Sequence, residues 1–352
     1  MTNVENYLSL AKRTGFERIP IDFQLCPSLQ ERFDEYVRET GFQYQFSHQR
    51  IPDIVPKISD PSLFLKYYPD GLLQDATIDM YGIARQRGSK WAYHMTRMLH
   101  PMEHLDSPEQ IAAYPLPDFE NGDDTLQIDA IRKAHAEDKI AMGRMSCTVW
   151  EISWYLRGME NLMADMMSDD PIATLLLDRV TDAAVLRAKS YAKNGVDVLL
   201  LGDDVGMQHT LMMSEAFYCE WLKPRLARII SAAKAENPSI LIFYHSCGFI
   251  TPLIPHLIEA GIDVLNPVQP ECMDFREIHD LFGDRISFHG TIGTQSTMPH
   301  GSPEDVRREV FRNLTIAGEH GGLFVAPTHM LEPDVPVENL IAYIEACRDF
   351  TV

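Results

Sequence analysis

The second half of the chain alternates between two kinds of apolar pattern. Short apolar runs rich in β-branched residues fall at 139–147, 196–204, 240–247, 262–269, 286–291 and 323–329. Runs that are apolar on both faces read as parallel strands covered by helices. The stretches between them are amphipathic and carry helix punctuation. Ser302-Pro303-Glu304-Asp305 places a capping serine, a proline at the first helical position and acids in the first turn, and this helix is expected to stop at Gly321-Gly322. Asp170-Pro171 and Ser214-Glu215 mark further helix starts, and Gly195 and Gly261 each separate a helix from the next strand. Residues 17–25 read as a first strand, followed by a helix over 28–40 that ends at Gly41. Residues 42–135, rich in aromatics and prolines, read as an irregular excursion with short helices, including a capping box at Ser107-Pro108-Glu109-Gln110.

This rhythm predicts an α/β fold: a (β/α)8 TIM barrel with an N-terminal embellishment, the whole of 1–352 forming one domain. A doubly wound open sheet is the alternative. The length of 352 residues matches a barrel of about 250 residues plus extensions. With 45% apolar residues the chain can fill a core, and its net charge of −20 would repel nucleic acid and anionic membranes. No apolar run approaches the roughly 20 residues of a membrane helix, and residues Met1 to Glu5 show no basic-then-apolar leader. The six cysteines are scattered, which fits a reducing cytoplasm. A Gly-rich phosphate loop, a dinucleotide fingerprint and a nucleophile elbow are all missing, so nucleotide-driven chemistry has no support.

Parallel α/β folds bind ligands beyond the carboxyl ends of their strands. Polar residues recur there: Cys147, Trp150 and Glu151; Asp203, Asp204 and Gln208; His245 and Cys247; Asn266 and Gln269; His289; Thr328 and His329. In His245-Ser246-Cys247-Gly248 the imidazole and thiol stand two residues apart on a strand, so they point the same way, and both are good zinc ligands. His329 is the expected third ligand, with Cys272, Cys147 and Glu151 as weaker candidates. Three protein ligands and one open position describe a catalytic rather than a structural metal. Adjacent strand residues face opposite sides, so only one of Asp203 and Asp204 is expected in the pocket. Glu151 and Asp203 are the candidate proton-handling groups, and Trp150, Asp204, Gln208, Gln269 and His289 the candidate substrate contacts. The methionines of 156–167 read as core filler.

These motifs resemble the uroporphyrinogen decarboxylase superfamily, and within it the zinc-dependent, corrinoid-linked methyltransferases that act with methylcobalamin and coenzyme M. The resemblance rests on His245-Ser246-Cys247-Gly248, on the stretch from Gly261 to Gln269, on the stretch from Phe288 to Gln295, and on Gly321-Gly322 leading to Ala326-Pro327. It implies a TIM barrel, zinc held by His245, Cys247 and a later residue, a corrinoid carried by a partner protein, and a small methylated substrate. A homodimer is allowed for. The later ligand position holds His329 where thiol-specific members have cysteine, which implies a more electrophilic zinc suited to an aryl methyl ether. The decarboxylases' Arg-Gln-Ala-Gly-Arg motif is replaced here by the segment Asp22 to Ser28. Two other readings stand beside this one. A metal-independent decarboxylase or lyase would need anion-binding arginines, with Arg144 and Arg157 as candidates. The other is a non-catalytic corrinoid- or metal-binding protein.

Overall fold

The protein is represented by a computed structural model that describes residues 1–57, 60–89, 93 and 96–351. Seven strands form one parallel sheet: β1 (His48–Arg50), β2 (Ile140–Met145), β3 (Val198–Gly202), β4 (Leu241–His245), β5 (Val264–Asn266), β6 (Ser287–Ile292) and β7 (Leu323–Pro327). Spatial order follows chain order, and helices connect the strands, so this is a TIM-barrel-type α/β fold. All six runs read from the second half of the sequence contain a strand, and 28–40 folds as the helix Pro27–Thr40 with Gly41 left-handed at φ 70°.

The alternation of side chains sorts the core into two shells. Ala141, Leu199, Leu201, Ile242, Tyr244, Leu265, Phe288 and Val325 face outward and pack with the surrounding helices. Ile140, Met142, Val198, Leu241, Phe243, Val264 and Phe324 form a separate interior cluster with Tyr7, Leu10 and Ala11. Those last three belong to the N-terminal helix Asn3–Ala11, which plugs the barrel at the amino ends of its strands. Its Leu10 and Ala11 carbonyls accept from Gly322 N and Ser287 Oγ just before and at the start of β7 and β6. With one end plugged, only the carboxyl end is left open as a cavity.

Three expectations change. Residues 17–25 make only an isolated bridge, Leu25 to Leu331. The Tyr343 hydroxyl lies 3.2 Å from Asp22 N, 2.9 Å from Asp22 O and 3.0 Å from Val325 O, so a side chain stands where a ladder partner would be. The stretch 42–135 holds a barrel strand, β1, and two small antiparallel sheets, Val55–Lys57 with Asp118–Asp123 and Thr77–Ile78, Ala84–Gln86 with Arg97–Leu99. The helix begun by Ser302 ends at Ala317, with Gly318 at φ 80°, before the glycine pair that leads into β7. Separately, 156–167 spans two helices, Trp150–Arg157 and Met159–Met167, broken at Gly158 with φ 84°, and of its methionines Met166 is buried core whereas Met167 is exposed.

The capping box of Ser302 is formed: its hydroxyl accepts from Asp305 N at 3.2 Å and Asp305 returns to Ser302 N at 2.9 Å. Ser302→Ala is expected to destabilise the fold by about 1 kcal/mol without changing ligand binding. Urea unfolding measures this, and an unchanged midpoint would mean that the box contributes nothing.

Candidate active site

Inward-facing positions turn from apolar to polar as each strand approaches its carboxyl end. Met142 is followed by Arg144, Leu200 by Asp204 beyond the strand, Phe243 by His245 and Val264 by Asn266. Together with Asp22, His48, Arg50, Cys147, Glu151, His289 and His329 they line a cavity of about 340 Å³. A second recess of about 380 Å³ adjoins it, lined by Cys247, Gln269 and Glu332 and sharing Thr328, His329 and Met330 with the first.

Asp204, His245 and Cys247 bring three ligand atoms within 4.8 Å of one another, and no other such group forms among the described residues. His245 Nε2 is 3.5 Å from Cys247 Sγ and 3.6 Å from Asp204 Oδ1. A tetrahedral zinc at ordinary bond lengths separates its nitrogen and sulfur ligands by about 3.5 Å. The set therefore fits a zinc-type ion with one open position. The neighbouring groups also orient it. His245 Nδ1 is 2.5 Å from Asn266 Oδ1, directly across the β4–β5 register, so Nδ1 carries the proton and Nε2 keeps its lone pair for a metal. Asn266 Nδ2 lies 2.5 Å from His289 Nδ1, and His289 Nε2 lies 3.0 Å from Asp22 Oδ2. The Asp204 Oδ1 atom accepts from Cys247 N at 2.8 Å. At Gly202, opposite His245, a Cβ would come within 2.7 Å of the His245 Cβ, so glycine is what lets the ligand strand approach.

The charges are strongly perturbed. Burial, then Asp204 and Glu151, push the Cys247 thiol far above its usual range, so a cation is needed to make it a thiolate. Burial, then Asp203 and Asp204, push Glu151 up to about 8, and the carboxyl holds its proton near neutral pH. Glu151 accepts from the Tyr155 hydroxyl at 2.7 Å and from Asp204 N at 3.3 Å. Burial would raise Asp22, but its contacts with His48 and His289, the latter a hydrogen bond, and the charge of Arg50 outweigh it and hold that carboxyl well below the carboxylate range.

The expected site residues fall into two groups. Glu151, Asp204, His245, His289 and His329 line the cavity, and Cys247 and Gln269 the adjoining recess, where Gln269 Oε1 accepts from Gly248 N at 3.0 Å. His329 shares both recesses but stands outside the close-set group, in which Asp204 supplies the third donor. Asp203 is a correction. It is buried and accepts backbone N–H bonds from Thr148, Val149 and Glu151 at 2.9–3.2 Å, so it caps the helix Trp150–Arg157 and lines neither recess. Burial raises it to about 6 against these donors. Trp150, fully buried, is core and not a substrate contact. Gln208 is an exposed loop residue beside Gln295. Arg157 is paired with Asp165 away from the cavity. Sequence reasoning missed Asp22, although it lies in the segment read as a first strand, and His48 and Arg50, which lie in the stretch read as an irregular excursion. It also left Asn266 without a role, although its place at a strand end was a usable signal.

A parallel barrel with a polar cavity and a candidate metal-donor group at its carboxyl end defines a class of TIM-type barrels with a ligand-binding mouth. The particular family follows from comparison: residues 75–350 match the uroporphyrinogen decarboxylase (URO-D) family, and the chain belongs to it. It is 26% identical over 231 residues to a methylated-thiol–coenzyme M methyltransferase of Methanosarcina mazei, covering 63% of this chain and 56% of that protein. It is 27% identical over 173 residues to the methylcobamide:CoM methyltransferase MtaA of Methanosarcina barkeri, covering 49% and 47%. The matches thus span about half the length of these two relatives. A uroporphyrinogen decarboxylase of Pseudomonas putida is 22% identical over 256 residues, 70% of each chain. Among solved structures, a methyltransferase from Methanosarcina mazei superposes with a TM-score of 0.68 at 17% identity, covering 99% of this chain and 98% of that one, which shows a shared fold.

The donor geometry predicts that Asp204→Ala and Cys247→Ala each bind zinc far more weakly than His329→Ala does. Asn266→Ala should lose about 10–100-fold in affinity by freeing the His245 ring. Competition with a chromogenic chelator measures all four. Wild-type affinity in Asp204→Ala would remove Asp204 from the ligand set.

Proposed function

We propose that this protein is a zinc-dependent methyltransferase that moves a methyl group between a small methylated substrate, such as an aryl methyl ether, and a corrinoid carried by a partner protein. The observation that carries this reading is the convergence of Asp204, His245 and Cys247 at the cavity. The methyltransferase names of the two relatives identical at 26% and 27% support it. Bound zinc would act as a Lewis acid on the substrate heteroatom. A carboxylate and an imidazole beside a single thiolate leave such an ion more electrophilic than a thiolate-rich set.

The chain's own groups supply the rest. Asn266 holds His245 in the metal-binding tautomer, and Asp204 holds the backbone that carries Cys247. Glu151, protonated near neutral pH and lining the cavity, would give a proton to the heteroatom as the methyl group leaves. Asp203 positions the helix that bears Glu151. We read residues 1–352 as one functional domain, working in the cytoplasm. Among the described residues no helix is long and apolar enough to cross a membrane.

The second reading, a metal-independent decarboxylase or lyase, gains from one observation: Arg50 and Arg144 line the cavity, as such an enzyme would need. One experiment separates the readings. The zinc-loaded protein is incubated with a cobalt(I) corrinoid protein and a panel of methoxylated arenes, and the cobalt spectrum is followed. Methylation is expected, abolished by a chelator, restored by zinc and absent in Cys247→Ala. Full methylation after chelation and in Cys247→Ala would sink the zinc-dependent reading. Decarboxylation that survives chelation would establish the second, and ligand uptake without turnover would reduce the protein to a binding module.

A further inference from the structure

We propose that Asn313 is a positioning residue for this site: it clamps Thr291 in a left-handed turn, and that turn holds His289 against Asn266 and so fixes the tautomer of His245. The effect on metal binding rests on the donor group proposed above, whereas the hold on the two imidazoles does not.

The side-chain alternation of β6 breaks just beyond His289. Ser287 bonds to the plugging helix, Phe288 packs outward and His289 lines the cavity. Residues two apart on a strand share a face, so Thr291 would be expected to follow His289 inward. Instead Thr291 is 1% exposed, lines neither recess, and meets Asn313 on the helix Pro303–Ala317 outside the sheet. Gly290 at φ 102° and Thr291 at φ 82° make the reversal. Glycine takes such a conformation freely, and a Cβ at 290 would come within 2.9 Å of the Pro267 Cβ. Threonine does not take it freely. A β-branched residue there is strained and persists only where its surroundings over-determine it.

Asn313 supplies that constraint. It is buried, and its Nδ2 donates to Thr291 O at 3.2 Å and to Thr291 Oγ1 at 3.1 Å. One amide thus grips both the main chain and the side chain of the strained residue. The pairing of Gly290, Thr291 and Ile292 with Val325, Ala326 and Pro327 of β7 continues through the reversal, so the turn is held within the sheet. With Thr291 turned outward, His289 is the last inward side chain of β6. Its ring packs against Phe324 and Phe243, which limit its tilt. The backbone at 290–291 sets where along the strand the ring stands. There Nδ1 lies 2.5 Å from Asn266 Nδ2, and Nε2 lies 3.0 Å from Asp22 Oδ2. Gly290 packs on Pro267, the residue next to Asn266, so the turn and the hydrogen-bond chain meet at one contact.

Nitrogen NMR of the metal-free protein, labelled in its histidines, reads the tautomers directly. In the wild type His245 should carry its proton on Nδ1 and His289 on Nε2, each as a single form. Asn313→Leu should leave both rings as tautomer mixtures and weaken zinc binding about tenfold in chelator competition, the loss typical of a disturbed outer partner. Thr291→Gly removes the strain, so N313L/T291G should recover the wild-type signals and affinity. Unchanged tautomers in Asn313→Leu, even with a lowered unfolding midpoint, would mean that Asn313 only supports the fold and would overturn the proposal. A double variant no better than Asn313→Leu would overturn it too. If Asn313→Leu does not fold, Thr291→Val decides in its place, since it keeps the strain and loses the Oγ1 contact: partial mixing is expected, and unchanged signals overturn the proposal. Tautomers that respond as expected in a protein that binds no zinc would sink the metal reading and leave the positioning role. Tight zinc binding with fixed tautomers in both wild type and Asn313→Leu would do the reverse.

Discussion

Asp203 is the fixed point on which the site depends. A carboxylate at the end of β3 that is almost wholly buried must collect donors or give up its charge. It collects three backbone N–H groups from the start of the helix Trp150–Arg157, where orphan amides and the helix dipole favour an anion. That contact locks the first turn of the helix over the end of β3 and brings Glu151 beside Asp204. Because neighbouring strand residues face opposite sides, sinking Asp203 into the core turns Asp204 into the cavity, where it meets the Cys247 amide. The loops after β3 and β4 are thereby tied together at the place where three metal donors meet.

From there a chain of directed hydrogen bonds crosses the barrel: His245 to Asn266, Asn266 to His289, His289 to Asp22. Each link sets the tautomer of the next. An amide has one donor end and one acceptor end, so Asn266 leads His245 to present Nε2 to the candidate metal site and His289 to present an N–H to Asp22. Asp22, held ionised by its contacts with His48 and His289 and by Arg50, terminates the chain.

The relatives that this chain matches include both decarboxylases and methyltransferases, so a shared barrel can carry different chemistry on different strand-end side chains. Its lower interior is apolar packing and is indifferent to the reaction. The inward-facing side chains at the strand ends are where this chain is polar: acids and candidate metal donors at the ends of β3 and β4, arginines on β1 and β2.

The sequence alone determined the strands and helices of the second half, because buried strands and capped helices obey local rules. Capping by Ser302 and the glycine stops at Gly195 and Gly261 involve groups within a few residues of each other. It likewise determined that His245 and Cys247 share a side, since that follows from the period of a strand. Long-range placement was decided only by the tertiary structure. Asp203 and Asp204 are equivalent in sequence until the helix at 150–157 takes one as its cap. Arg50 sits in a three-residue strand too short to show a periodicity, and Asp22 in a segment that read as a strand but stays unpaired; both reached the cavity only when the barrel brought 17–25 beside β1 and β6. Asp204, rather than His329, completes the close-set group for the same reason: the distance between strand ends depends on sheet curvature and loop tethering, which no local pattern records.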